Sequence, residues 1–247
     1  MTKRGAYFLS FAAAAVLLAL PLARFSALAA TGSCTFGAEL EELQKINDPS
    51  AELTARKKFF ASIVDCGVRD IKNLKANLEG VSLPDTETKN ARAQIMGELD
   101  EAIGYYNKQN LAVLGAGMRG TKEAARNLLE WRSIYYLPLS QKAIAFVMWA
   151  KNQNLMQAAE QRLGDIEKTI NNLNLSENAE LTALAREANG NLENALQANE
   201  LARRTFLRNY IYEDALALIR TSLEKLSQTY RNFFDLSEAV NKVLPRY

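Results

Sequence analysis

The chain has 247 residues, of which 48% are hydrophobic and 23% charged, with 30 basic and 28 acidic residues. It contains no histidine and only two cysteines. These absences exclude Ser-His-Asp and Cys-His catalysis, the Glu-x-x-His motif of di-iron bundles, and the common zinc sites. We therefore predict a protein that is not an enzyme and that binds no cofactor and no metal.

The first 29 residues have the pattern of a secretory signal peptide. Lys3 and Arg4 precede an apolar run from Ala6 to Leu22, and Ala27-Leu28-Ala29 matches the small-residue site where signal peptidases cut. Cleavage would also remove three basic residues and leave a chain with a net charge of −1. Such a chain has no strong field to attract nucleic acid. We predict export to the periplasm, the cell surface or the medium, with an uncleaved N-terminal membrane anchor as the alternative.

Apolar residues recur at helical spacing almost throughout the rest of the chain. Asp48 is expected to cap the N-terminus of one long helix, with Pro49 at its first position, and Gly80 is expected to end it. Cys34 and Cys66 are the only cysteines. Because two cysteines in an exported chain usually pair, we predict one disulfide that ties the start of the mature chain to this helix.

A third helix is predicted after Pro84-Asp85 and a fourth from near Thr121. Between them, Gly115–Gly120 matches the G-x-G-x-x-G pattern of dinucleotide-binding turns and follows the apolar run Leu111–Leu114. That pattern needs a strand before it, a second strand after the helix, and an acidic residue about 20 positions on. The sequence offers neither the second strand nor the acid. We interpret the glycines as a link between two helices.

Pro138 falls within the fourth predicted helix and should kink or interrupt it. Aromatic residues surround this point. Core packing is the first interpretation of this group, and a candidate ligand pocket lined by Trp131, Arg132, Tyr135 and Tyr136 is the alternative.

The longest apolar seam runs from Leu181 to Phe233 and keeps a near-heptad spacing, which predicts a long, coiled-coil-like C-terminal helix. The C-terminal half of the seam carries large apolar residues and should pack within the chain. The weaker stretch from Glu180 to Arg208 is expected to be more adaptable. Leu192, Ala195 and Asn199 are therefore a candidate interface with a partner or a second copy.

The predicted fold is all-α, an antiparallel bundle of about six helices that forms a single domain over residues 30–247. The predicted function is that of a non-enzymatic scaffold or protein-interaction module at the cell envelope or outside the cell. A membrane-active or lipid-binding bundle is one alternative, and it would expose an apolar hairpin such as Leu111–Met118. A small-ligand sensor with a pocket near the proline is the other. We expect a protein partner, with self-association left open and membrane contact less favoured.

Overall fold

The computed structural model describes residues 37–208 and 212–243, and the regular structure of these residues is entirely helical. The helices are α1 (Gly37–Lys45), α2 (Pro49–Glu79), α3 (Thr86–Leu114), α4 (Met118–Trp131), α5 (Leu137–Asn172), α6 (Ala179–Arg208) and α7 (Tyr212–Val243). The all-α prediction is confirmed. The predicted signal peptide and Cys34 lie outside the described residues. None of the described helices combines the length and hydrophobicity needed to cross a membrane.

Local signals determine where the first long helices begin. Asp48 Oδ2 accepts a hydrogen bond from the backbone N–H of Ala51 at 2.7 Å, and Pro49 is the first residue of α2. Asp85 Oδ1 accepts the backbone N–H of Thr88 at 2.8 Å and so caps α3. Each carboxylate satisfies an N–H group that the helix itself leaves without an acceptor. The predicted start and end of α2 and the predicted start of α3 are confirmed.

The interruption predicted at Pro138 is a π-helical turn. The π-helical segment spans Arg132–Tyr136, between α4 and α5, and Pro138 lies in the first turn of α5. Proline has no N–H to donate, and its ring would clash with the carbonyl one turn earlier in a regular helix. The wider π turn removes this conflict. Beyond it, α5 runs without a break to Asn172.

The C-terminal end of α5 is a Schellman motif, which reverses the chain toward α6. Asn174 has a positive φ of 55°. Its N–H donates to the carbonyl of Asn171, and the N–H of Leu175 donates to the carbonyl of Ile170, both at 3.0 Å. This pairing satisfies two carbonyls at the helix end.

The long C-terminal seam is divided between two helices, α6 and α7, which pack against each other and against α5. Ser222 Oγ donates to the carbonyl of Ala195 at 2.8 Å, and Asn191 Nδ2 donates to Asn232 Oδ1 at 3.1 Å. The residue number rises along α6 from Asn191 to Ala195 while that of the partner on α7 falls from Asn232 to Ser222, so the two helices are antiparallel. Phe233 is buried in this core, which confirms that the C-terminal half of the seam packs within the chain.

The described chain forms two compact units. The first contains residues 37–73 and Glu101–Arg132. The second contains residues 74–100, 133–208 and 212–243. Its core lies among α5, α6 and α7 and includes the buried apolar residues Met156, Leu163, Ile166, Ile170, Leu181, Leu192, Leu226, Phe233 and Leu236. A single domain over residues 30–247 stays a prediction.

Candidate interaction surface

The turn between α3 and α4, in the first unit, exposes large apolar side chains. Leu111 and Leu114 lie one helical turn apart near the end of α3 and are 69% and 64% exposed. Leu129 is also 69% exposed, but it lies eleven residues beyond Met118 and therefore about 16 Å along α4 from the turn. Val113 between the first two leucines is buried and ties the turn to the core. Single exposed leucines are ordinary on protein surfaces, but a group on one hairpin indicates a contact surface.

Three basic side chains share the outer face of α4 with Leu129. Arg119, Lys122 and Arg126 are all exposed. Their spacing of three and four residues, continued by three to Leu129, places them along one side of the helix. Within the part of the chain that the structure describes, none of the three forms an ion pair, and Glu123 borders them. We call the following six residues the hairpin-tip surface: Leu111, Leu114, Arg119, Lys122, Arg126 and Leu129.

Helix α2 brings a further basic run to this turn. Lys57 Nζ donates a hydrogen bond to the carbonyl of Leu114 at 2.7 Å and so satisfies an acceptor at the C-terminus of α3. Arg56 is paired with Glu52 at 2.7 Å, whereas Lys58 is exposed. The fold therefore places the charge of Lys57 directly beside an exposed leucine that is 57 residues away in sequence.

Aromatic packing anchors the other end of the hairpin. Trp131 stacks on Tyr105 with ring centroids 4.1 Å apart and meets Tyr106 edge to face at 5.4 Å. Tyr106 is fully buried and lies against Gly67 of α2, where an added Cβ would sit 2.5 Å from Tyr106 Cζ. The missing side chain of Gly67 thus creates the space that the tyrosine ring occupies. These contacts hold α2, α3 and α4 together and leave little freedom at the base of the hairpin.

Arg132 also belongs to this base. Burial raises the pKa of the Asp70 carboxyl, and the positive charges of Arg132 and Arg69 partly oppose that rise. Burial likewise raises the pKa of Tyr106, and Arg132 partly offsets it through its charge and through a side-chain hydrogen bond. Arg132 therefore interacts with Asp70 and Tyr106 inside the first unit.

The four residues of the predicted ligand pocket have different environments. Trp131 and Arg132 pack in the first unit, as described above. In the second unit, Tyr136 is buried at 4% exposure and Tyr135 is exposed at 64%. These positions favour the packing interpretation for Trp131, Arg132 and Tyr136. The pocket itself stays a prediction.

The three residues of the predicted interface are buried inside the second unit. Leu192 is 2% exposed, Ala195 is fully buried, and Asn199 is 1% exposed. Leu192 and Ala195 belong to the core among α5, α6 and α7. A partner could reach them only by opening this bundle. The predicted interface at these residues is therefore wrong, because α5 and α7 of the same chain already cover the seam.

Asn199 has a specific role in that interior. The fully buried Asn152 donates to Asn199 Oδ1 at 3.1 Å and to Ser222 Oγ at 2.9 Å. Trp149 Nε1 donates to the carbonyl of Asn199 at 3.2 Å, and Asn199 Nδ2 donates to Gln153 Oε1 at 2.8 Å. This polar layer joins all three helices at one level. A buried polar layer of this kind fixes the register of a bundle, since a shifted register would leave these groups without partners.

Three predictions remain, which concern the disulfide, the glycine-rich turn and metal binding. Cys66 is buried in α2 at 4% exposure. Its predicted partner Cys34 lies outside the described residues, so the disulfide stays a prediction. Leu111–Leu114 is the last turn of α3 and not a strand, which removes the structural context that a dinucleotide-binding turn needs. The described residues contain no group of three or more acidic, cysteine or histidine side chains placed to hold a metal ion.

Comparison of the chain with protein-family models, with curated proteins and with solved structures finds no match. The case for a function therefore depends on the surface itself. One part of the hairpin-tip surface has a sequence signal, namely the helical spacing of Arg119, Lys122, Arg126 and Leu129. No sequence signal predicts the exposure of Leu111 and Leu114, because both belong to an ordinary apolar run.

Proposed function

We propose that the protein is an exported, non-enzymatic helical module that works by binding at its surface, and that the hairpin-tip surface is the binding element. The observation that carries this proposal is the exposure of Leu111 and Leu114 at the end of α3. Covering apolar surface contributes about 25 cal/mol per Å². A partner that covers these leucines would therefore gain free energy that the isolated chain does not.

The basic residues of the hairpin-tip surface differ from Arg203 in the second unit, which is ion-paired within the chain. Arg203 on α6 is paired with Asp85 and Glu87 at 3.0 Å each and with Glu200 at 3.3 Å. Its charge is compensated within the chain. Arg119, Lys122 and Arg126 form no ion pair among the described residues, although Glu123 and Glu130 share the outer face of α4 with them. Their side chains are therefore not held by the chain itself and can meet a partner.

A non-enzymatic role is supported by the chemistry of the chain. It has no histidine, and the deeply buried polar residues of the second unit hydrogen-bond to one another across helices. Export remains part of the proposal. Intact-mass measurement of protein recovered outside the cytoplasm should give a chain shortened by about 29 residues, as expected for cleavage after a small-residue signal site.

Co-sedimentation with the envelope fraction of the producing cells tests the binding proposal. The mature protein is compared with a Leu111→Ser/Leu114→Ser variant and with a Leu201→Ser/Phe234→Ser control, whose native side chains are 44% and 54% exposed. We expect the first variant to lose sedimentation and the control to keep it, with circular dichroism spectra unchanged in both. Equal sedimentation of all three proteins would contradict the proposal.

A further inference from the structure

We infer that the hairpin-tip surface docks on the surface of an anionic phospholipid membrane, an inference that rests on the function proposed for the same surface and names its partner. The partner is identified by two features that occur together. Leu111 and Leu114 are exposed apolar side chains at the end of the hairpin formed by α3 and α4. Lys57 lies at this point, and Arg119, Lys122 and Arg126 run back from it along α4.

Charge complementarity favours anionic headgroups. The mature chain has a net charge of −1, so attraction to an anionic surface must come from a local concentration of basic groups. Lys57 of α2 and Arg119, Lys122 and Arg126 of α4 provide one, since these four basic residues outnumber Glu123 and Glu130, the two acidic residues on the outer face of α4. Each basic residue near an anionic leaflet contributes on the scale of a tenfold change in binding or somewhat less.

The arrangement of apolar and basic groups also matches a lipid interface. Arg119, Lys122 and Arg126 occupy successive turns on one side of α4, behind the two exposed leucines of the turn. Interfacial helices use this pattern, in which leucines enter the boundary of the acyl chains while lysine and arginine stay among the headgroups. The two leucines of α3 lie at the turn, where a hairpin that approaches a membrane end-on would meet it first.

The size of the apolar patch argues against a folded protein as the main partner. Leu111 and Leu114 offer at most a few hundred Å² at the turn, whereas each side of a standard protein interface buries about 800 Å². No exposed tyrosine or tryptophan lies among the six residues of the surface, although such residues usually dominate protein interfaces. A membrane needs only shallow insertion of a few side chains, so the small patch is sufficient.

Vesicle co-sedimentation of the mature protein tests the inference. The vesicles contain phosphatidylglycerol and phosphatidylcholine in equal parts, or phosphatidylcholine alone. We expect binding to the mixed vesicles at low salt, weak binding to phosphatidylcholine, and a steep loss of binding as salt is raised. Absence of binding to the mixed vesicles at low salt, or equal binding to both compositions, would overturn the inference.

Matched variants separate the charge from the leucines. Arg119→Gln/Lys122→Gln/Arg126→Gln removes the basic face, and Lys168→Gln/Arg186→Gln/Arg231→Gln removes the same charge from exposed positions of the second unit. We expect the first variant to bind mixed vesicles on the order of 100-fold more weakly and the second to bind within about threefold of wild type. If the two variants lose the same amount of vesicle binding, binding depends on the net charge of the protein and not on the basic face of α4, which would overturn the inference.

The leucine variant and the oligomeric state complete the test. Leu111→Ser/Leu114→Ser should weaken vesicle binding at least tenfold at fixed salt. Sedimentation velocity should give a monomer for the wild type, and a dimer that this variant dissociates would assign the surface to a second copy and overturn the membrane inference. A different result would separate the two proposals. If the leucine variant no longer co-sediments with the envelope fraction but the wild type does not bind the phospholipid vesicles, the proposed function holds and the membrane inference fails.

Discussion

Gly67→Ala is the most direct test of how the first unit is packed. Gly67 lies on the buried face of α2, and a Cβ at this position would sit 2.5 Å from Tyr106 Cζ and 2.6 Å from Cε1. Ordinary carbon contacts are about 3.5–4.0 Å, so the overlap is about 1 Å. The tyrosine ring cannot simply turn away, because it is fully buried and Trp131 meets it edge to face.

Two opposing effects determine the size of the change. Overpacking a closed site costs about 1–3 kcal/mol. Alanine is a better helix former than glycine and returns up to about 1 kcal/mol. We expect a net loss of about 1–2 kcal/mol in the free energy of unfolding, equivalent to about 2–8 °C in Tm for a chain of this size.

Gly104→Ala is the matched control, since it lies in α3 within the same unit and an added Cβ there meets nothing within 4 Å. Its expected effect is a gain of about 0.5–1 kcal/mol. Urea unfolding followed by circular dichroism measures both variants. In a Tyr106→Leu background the shorter side chain should remove the cost of Gly67→Ala. If Gly67→Ala stabilises the protein as Gly104→Ala does, Tyr106 does not pack against α2.

Three further predictions concern the second unit. Asn152→Ala leaves Asn199 Oδ1 without its buried donor and should lower the free energy of unfolding by about 1–3 kcal/mol, measured by urea unfolding; a change near zero would show that the polar layer is dispensable. The hydrogen bonds that Asp85 accepts at the start of α3, together with its pairing to Arg203, hold the pKa of this carboxyl below its ordinary value. The stability it contributes is therefore present above about pH 4 and lost as the pH falls below that value, so Asp85→Asn should flatten the acid limb of a pH–stability curve. Asn174, at φ 55°, should accept glycine with little change but lose about 1–2 kcal/mol as valine in thermal unfolding, and equal Tm values for the two variants would contradict its left-handed conformation.

The positions of helix ends could be predicted from the sequence because their causes are local. Asp48 and Asp85 cap helices with their own side chains, within three residues of the groups they satisfy. Pro138 interrupts the helix because of its own ring and missing N–H. Apolar periodicity likewise predicted that the C-terminal half of the seam, which lies in α7, packs within the chain, because a helix in water must cover its apolar side wherever it lies.

Only the tertiary structure decided what covers each face. The seam of α6 suits a partner chain as well as it suits α5 and α7, and Leu192 and Asn199 have the same spacing in either case. Their burial depends on the path of the chain far away in sequence. The same reason applies to Leu111 and Leu114, whose apolar character is plain in the sequence. Both lie on a side of α3 that the described helices of the first unit leave uncovered, and Lys57 reaches the carbonyl of Leu114 only because α2 runs antiparallel to α3.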